Sequence, residues 1–364
     1  MTLDPTPIER LNRARADLRM GLGVVLRADD GRGALVIAAE VLSPARLEKL
    51  RGLGGAPVLA ITAHRAATLR ARAYDGDLAR VIVPRDAGPR WVRAVADPAD
   101  DLRVPMKGPL MTARGGAADL HRGAIALAKS AQLLPAAVVL EHPGAEALAG
   151  LHGLSVLDLG VIEAAQAAGS PLHPVIQARV PMAAAQASRV HVFRPEDGGV
   201  EHYAIEIGQP DRAAPVLARL HSACFTGDVL GSLKCDCGAQ LNAALARMAA
   251  EGAGVLLYLN QEGRGIGLAN KLRAYSLQDQ GFDTVEANHR LGFEDDERDF
   301  RIGAALLRRM GFARARLLTN NPGKVAMLAA NGVEVVERVA LRVGETDENR
   351  AYLATKAAKS GHLL

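Results

Sequence analysis

Residues 255–280 read VLLYLNQEGRGIGLANKLRAYSLQDQ, and this stretch decides the fold class. Residues 255–259 form a short continuous apolar run, the pattern of a strand buried on both faces. Gln261-Glu262-Gly263-Arg264-Gly265-Ile266-Gly267 is a glycine-rich loop, and a helix follows over 268–280. A strand that passes through such a loop into a helix is an α/β unit. Backbone N–H groups at the helix start can hold phosphate, and Arg264 can add charge-assisted bonds. The lysine of a P-loop and the G-x-G-x-x-G spacing of a dinucleotide fingerprint are both absent, and glycine turns of this kind also join strands to helices with no ligand.

The pattern extends in both directions. Leu241, Ala244, Leu245 and Met248 have helical spacing, and Gly252 is a natural residue to end that helix. Downstream come a helix over 297–310, a strand at 316–319, a turn at 320–323, a helix at 325–330 and a strand at 333–337. Upstream, 189–193, 202–207 and 215–221 read as an antiparallel meander, with Gly198-Gly199 in the first turn. Before about residue 175 the chain reads as a separate mixed α/β region. Its strands fall at 23–26, 34–39, 57–62, 81–83 and 137–141, and its helices at 7–20, 44–53, 64–74, about 120–132, and 145–168 with a strand-like break near 154–157. The stretch 85–118 is mostly loop. Gly, Ser and Pro between 168 and 188 mark the boundary. The expectation is an α/β (mixed α+β) protein of two domains, 1–174 and 175–364.

Composition removes several function classes. The 364 residues are 49% apolar, too many for a disordered tail. Forty-four basic against 40 acidic residues give a net charge of +4, with no basic block and no aromatic-basic interleaving, so no nucleic-acid surface is expected. No run of about 18 apolar residues suggests a membrane span. The start, MTLDPTPIERLNRARADLR, has no apolar signal region, and a cytoplasmic location is the default expectation.

Cysteine usage is more pointed. The three cysteines, Cys224, Cys235 and Cys237, are spaced C-x10-C-x-C. An odd number gathered this closely points to a metal, not to a disulfide framework. Three thiolates leave a fourth position open, the arrangement of a catalytic zinc, which acidifies a bound water. A structural zinc completed by His221 or His202, and three unrelated buried cysteines, are the alternatives. Two further elements bear on anions. Thr319-Asn-Asn-Pro-Gly-Lys324 is a strand–turn–helix element that either delivers Lys324 and the Thr319 hydroxyl to an anion or is an ordinary turn. Asp295-Asp296-Glu297-Arg298-Asp299 either caps a helix or supplies Asp296 as proton acceptor and Arg298 as phosphate clamp.

Five ordered segments carry a family resemblance: RLHSACFTGD (219–228), SLKCDCGAQL (232–241), NQEGRGIGLANKLRAYSLQDQGFDTVEANHRLGF (260–293), DERDF (296–300) and LLTNNPGKV (317–325). Together they resemble GTP cyclohydrolase II, the enzyme that opens the riboflavin pathway, over about 219–341. The resemblance implies one Zn2+ per chain on Cys224, Cys235 and Cys237, and attack by its hydroxide at C8 of guanine. Formate and pyrophosphate are released, giving 2,5-diamino-6-(5-phosphoribosylamino)pyrimidin-4(3H)-one. It implies GTP contacts from Arg219, Leu220, His221, Ser222, Ala223, Gln240, Glu262, Gly263, Arg264, Thr284, Thr319 and Lys324. Tyr275 would sit beside the ring-opening site, and Asp296 would accept a proton. Arg298 is assigned in the family as nucleophile towards the α-phosphate. A guanidinium with a pKa above ~12 is better suited to clamp the phosphate. Mg2+ on the triphosphate and a homodimer are further family implications. One departure is Ala223, where a Glu is common; any contact there falls to its backbone.

The first domain is similar to 3,4-dihydroxy-2-butanone 4-phosphate synthase, through Ile8-Glu9-Arg10, Leu35–Glu40 and the segment from Gly123 to Glu141. Its chemistry is depleted. The acidic loop is reduced to Arg27-Ala-Asp29-Asp30-Gly31-Arg32-Gly33-Ala34, and Arg-x-Gly-His-Thr-Glu has become Ala118-Asp-Leu-His121-Arg-Gly123. A degenerate, inactive synthase-like domain is expected. The competing readings are a cyclohydrolase that keeps the formyl group, a bifunctional synthase/cyclohydrolase, and a zinc-stabilised nucleotide sensor. The presence of Tyr275, Asp296 and Arg298 argues against the sensor.

Overall fold

The computed structural model describes residues 3–350 and residue 363, and it is mixed α/β with two sheets. Its contacts divide into two compact units, Met1–Ala168 with Ala269–Asp296, and Gly169–Leu268 with Glu297–Leu364. These units cross the chain-order division at 174/175, because residues 269–296 pack with the first unit. The ends of both expected domains, residues 1–2, 351–362 and 364, lie outside the described residues.

The first unit is built on a six-stranded sheet: β1 (Val24–Arg27), β2 (Gly33–Ala38), β3 (Val58–Thr62), β4 (Leu78–Ile82), β5 (Ala136–Glu141) and β6 (Ser155–Asp158). Their order is β4-β3-β5-β2-β1-β6. Every pairing is antiparallel except β1 with β6. Leu11, Ala14 and Leu18 of the helix Pro7–Arg19, and Leu120, Ala124 and Leu127 of Asp119–Ser130, bury their apolar stripes in the core beside this sheet. Two expectations change. The helix expected over 64–74 runs only Ala63–Thr68, because Arg70 takes a left-handed φ of 55° that ends it. The region 85–118 holds the helix Pro89–Ala96.

The second unit has seven strands: β7 (Leu172–Arg179), β8 (Ser188–Pro195), β9 (His202–Ile207), β10 (Val216–Ser222), β11 (Gly254–Leu259), β12 (Arg314–Leu318) and β13 (Glu334–Val339), in the order β13-β12-β10-β11-β9-β8-β7. The meander is real, but its members are β7, β8 and β9. The strand expected to close it, β10, instead runs parallel to β11 on one side and β12 on the other. The physical reason is burial on both faces. Ala218 and Leu220 join one core cluster and Leu217 another, so β10 needs a central position. The residues read as linker, 168–188, contain β7. Helices Cys237–Ala250, Arg301–Arg309 and Pro322–Ala330 complete the unit. No helix among the described residues is long and apolar enough to cross a membrane.

Candidate active site

In the second unit, β10, β11 and β12 are parallel, and the polar residues gather in the loops after their carboxyl ends. Open α/β sheets place ligands at this edge, where the chain turns away on both sides. Cys224 follows β10 and starts a tight turn, Phe225–Val229. Cys235 precedes the helix Cys237–Ala250, and Cys237 opens it. The three Sγ atoms lie within 4.8 Å of one another. Cys224 and Cys235 are 3.7 Å apart at sulfur. Two thiolates bonded to one tetrahedral zinc at about 2.3 Å each stand about 3.8 Å apart, so the donor set fits that ion. Gly227 leaves the room: a Cβ there would come within 2.8 Å of the Cys235 sulfur and 3.0 Å of the Cys224 sulfur. Neighbouring sulfurs and burial push the Cys235 and Cys237 thiols up from their ordinary range. A cation bound among the sulfurs would draw those protons off.

Neither histidine joins the cluster. His221 is 3% exposed, and its Nε2 donates to the Asp228 carboxylate at 3.0 Å. The Nδ1 of His202 accepts from the Asn260 N–H at 3.0 Å. Burial lowers both imidazoles, His202 to about 4.

Asp228 is the residue that sequence reasoning passed over. It is 3% exposed at its side chain. Its Oδ2 accepts from the Cys224 N–H at 3.0 Å and from the Tyr258 hydroxyl at 2.9 Å, besides the His221 ring. One carboxylate therefore ties the turn of the first thiol to β10 and β11. An Asp after a Gly reads as ordinary turn chemistry, so only burial distinguishes it.

The remaining residues fall into three groups. Arg219 and Gln240 bond each other, Nη2 to Oε1, and Gln240 in turn donates to Asp236. Arg219 is 7% exposed, its Nη1 donates to the Leu318 carbonyl at 3.2 Å, and burial lowers it to about 10. Leu220 is turned into the core. The Ala223 N–H donates to the Leu259 carbonyl at 2.7 Å.

The second group is cationic. Lys324, in the first turn of Pro322–Ala330, donates to the Leu220 carbonyl at 2.9 Å. Arg298 Nη1 donates to Ser222 Oγ at 3.3 Å. Both cations lie over the Phe300 ring, at 4.8 and 4.7 Å from its centre. Phe300 is a second residue missed from sequence. Thr319 follows β12, and its hydroxyl accepts from the Asn321 N–H at 3.0 Å. The Asp295–Asp299 run lies ahead of Arg301–Arg309, and Asp299 accepts from the Arg301 N–H at 2.9 Å.

The third group is the loop after β11. Gly263 and Arg264 both take left-handed conformations, with φ of 63° and 60°. For Arg264 that is strained backbone, of the sort found at ligand-holding loops. Glu262 accepts from the Phe225 N–H at 2.6 Å, linking this loop to the thiol turn.

Tyr275, Thr284 and Asp296 belong to the first unit. Tyr275 lies on the helix Leu268–Asp279, with the Lys271 ammonium 5.7 Å from its ring centre. Thr284 opens the helix Thr284–Leu291 and accepts from Gln278 at 3.1 Å.

A family model described as GTP cyclohydrolase II matches residues 173–340. Over 375 aligned residues the chain is 43% identical to GTP cyclohydrolase-2 of Azospirillum brasilense, covering all of this chain and 96% of that protein. It is 59% identical over 175 residues to GTP cyclohydrolase-2 of Azotobacter vinelandii, which spans 48% of this chain and 84% of that one. Among solved structures, a two-domain 3,4-dihydroxy-2-butanone 4-phosphate synthase from A. baumannii aligns with 92% of this chain and all of its own, at 18% identity and a TM-score of 0.33.

Proposed function

The chain belongs to the GTP cyclohydrolase II family, and on that premise we propose that it opens the imidazole ring of GTP with release of formate and pyrophosphate. The product is 2,5-diamino-6-(5-phosphoribosylamino)pyrimidin-4(3H)-one. The observation that carries this reading is the cluster of Cys224, Cys235 and Cys237 beside a cation-rich strand edge. Zinc held by three thiolates supplies a Lewis acid and a water acidified towards neutrality.

The chain's own residues do the rest. Gln240 and Glu262 offer the donors and acceptors that a guanine edge needs. Arg219, held by Gln240, fixes that amide in place. Arg264, Arg298 and Lys324 neutralise the triphosphate, and Thr319 donates its hydroxyl to it. His221 to Ala223 form the strand end against which the nucleotide lies, and Gly263 lets the backbone approach. Arg298 acts as a clamp: a guanidinium with a pKa above ~12 keeps its proton and is a poor nucleophile. Tyr275 positions the ring-opening step, Asp296 accepts the proton and Thr284 touches the nucleotide. These three roles rest on the resemblance. Mg2+ enters with the triphosphate as part of the substrate, and the reading extends to a cytoplasmic homodimer.

The first unit is proposed to lack synthase activity. The support is Arg32, which donates to Asp30 at 2.7 Å and Asp119 at 2.6 Å and lies 3.9 Å from Glu141. A built-in guanidinium already neutralises the acids that a divalent cation would need.

The test is formate and pyrophosphate release from GTP by the zinc-loaded protein, with mass analysis of the pyrimidine. One formate per GTP is expected, and Cys235→Ser should abolish it. A product that keeps its formyl group would overturn the complete reaction. Incubation with the pentulose phosphate used by the synthase family should give no butanone phosphate.

A further inference from the structure

Residues 269–296 carry Tyr275, Thr284 and Asp296, yet they pack with residues 1–168. The anchoring is specific. Arg273 donates from Nη2 to Glu40 Oε1 at 2.9 Å and from Nε to Asp97 Oδ2 at 3.0 Å. The other oxygen of Glu40 accepts from the Leu134 N–H at 3.0 Å, so this carboxylate joins the segment to the start of β5. Asn270, fully buried, donates to the Gln132 carbonyl at 3.2 Å. Gln280 donates to the Ala99 carbonyl at 3.2 Å. Further along, the His289 ring stacks on His64 with centres 4.0 Å apart. Gly292 passes so close that a Cβ would come within 2.7 Å of Thr62 Oγ1.

Salt bridges at an exposed surface add little, but Arg273 is a different case. Its side chain is 21% exposed, its carboxylates are 19% and 27% exposed, and it meets both at once. Tyr275 follows two residues later, about 200° around the helix. Clamping this helix through Arg273 therefore also fixes the stretch of backbone that carries Tyr275.

We propose that residues 1–168 serve as a clamp for the segment 269–296, with Glu40 and Asp97 acting through Arg273 as positioning residues for GTP ring opening. This rests on the reading above, in which Tyr275, Thr284 and Asp296 act on GTP. It assigns the degenerate first unit a role that needs no synthase chemistry: holding residues that the reaction uses.

The experiment compares the wild type with the double variant Glu40→Gln/Asp97→Asn, and Arg273→Lys with Arg273→Ala. The remaining oxygen of each amide can still accept from the Leu134 and Ala99 N–H groups, while an N–H2 replaces the charged oxygen that Arg273 bonds. Formate release, zinc per chain and hydrogen exchange over 268–279 are measured on each. The double variant is expected to lose about tenfold or more in kcat, as misplacement of a reacting group does. Its KM should change less than kcat, zinc should stay at one per chain, and exchange should quicken in the helix. Arg273→Lys should keep more activity than Arg273→Ala. A wild-type kcat in the double variant, or a loss that only tracks loss of zinc, overturns the clamp. A wild-type protein that releases no formate overturns the reaction itself, and the clamp's role with it.

Discussion

Asp228 shows what a single residue contributes. Its carboxylate takes the Cys224 N–H, the Tyr258 hydroxyl and the His221 ring. Groups that orient a metal ligand without touching the metal typically cost 10–100-fold in affinity when changed. Asp228→Asn replaces an acceptor by an amide whose N–H2 faces other donors. The expected outcome is about tenfold or greater weakening of zinc binding, measured by zinc retention against a chelator series. Retention equal to wild type would show that the turn holds its shape without the carboxylate. The cysteines were legible as candidate metal ligands because an odd number of thiols gathered this closely points away from a disulfide framework. Asp228 and Phe300 were not legible, because a turn Asp and a Phe before a helix are ordinary residues until their neighbours are known.

Among the elements, β10 matters most. It ends at the thiol turn, and its place between β11 and β12 rests on side chains packed against both faces. The helix Arg301–Arg309 lies so close that a Cβ on Gly303 would come within 2.4 Å of Leu220 Cδ2. Helix propensity alone favours Ala over Gly by about 1 kcal/mol. Overpacking a close contact costs about 1–3 kcal/mol. Gly303→Ala is therefore expected to lower stability, read as a drop in the denaturation midpoint. A stabilised variant would mean that Leu220 can move aside at little cost. The apolar run of β10 announced a strand, but burial on two faces does not say which neighbours cover it. That is why a meander of consecutive strands, the shortest connection, was the wrong pairing.

For the molecule as a whole, buried neutral histidines in both units predict acid sensitivity. Burial lowers His121 and His202 from the ordinary 6.5 to about 4. Between those values the unfolded chain binds protons that the folded chain refuses, so stability falls as pH falls through that window. Above about pH 6.5 this contribution is constant. Melting temperature should be highest near neutrality and decline from about pH 6.5 towards pH 4, and His202→Asn should flatten part of the decline if it folds. An unchanged melting temperature across that window would contradict the assignment. By itself the sequence determined the mixed α/β character, the thiol cluster that could hold a metal and the strand–loop–helix elements. These signals are local, carried by residue type and by spacing within one or two elements. Only the tertiary structure decided that β10 is central, that Asp228 braces the first thiol, and that 269–296 belongs with the first unit. Each of these depends on partners far apart in the chain, such as Glu40 and Arg273, whose meeting no local pattern encodes.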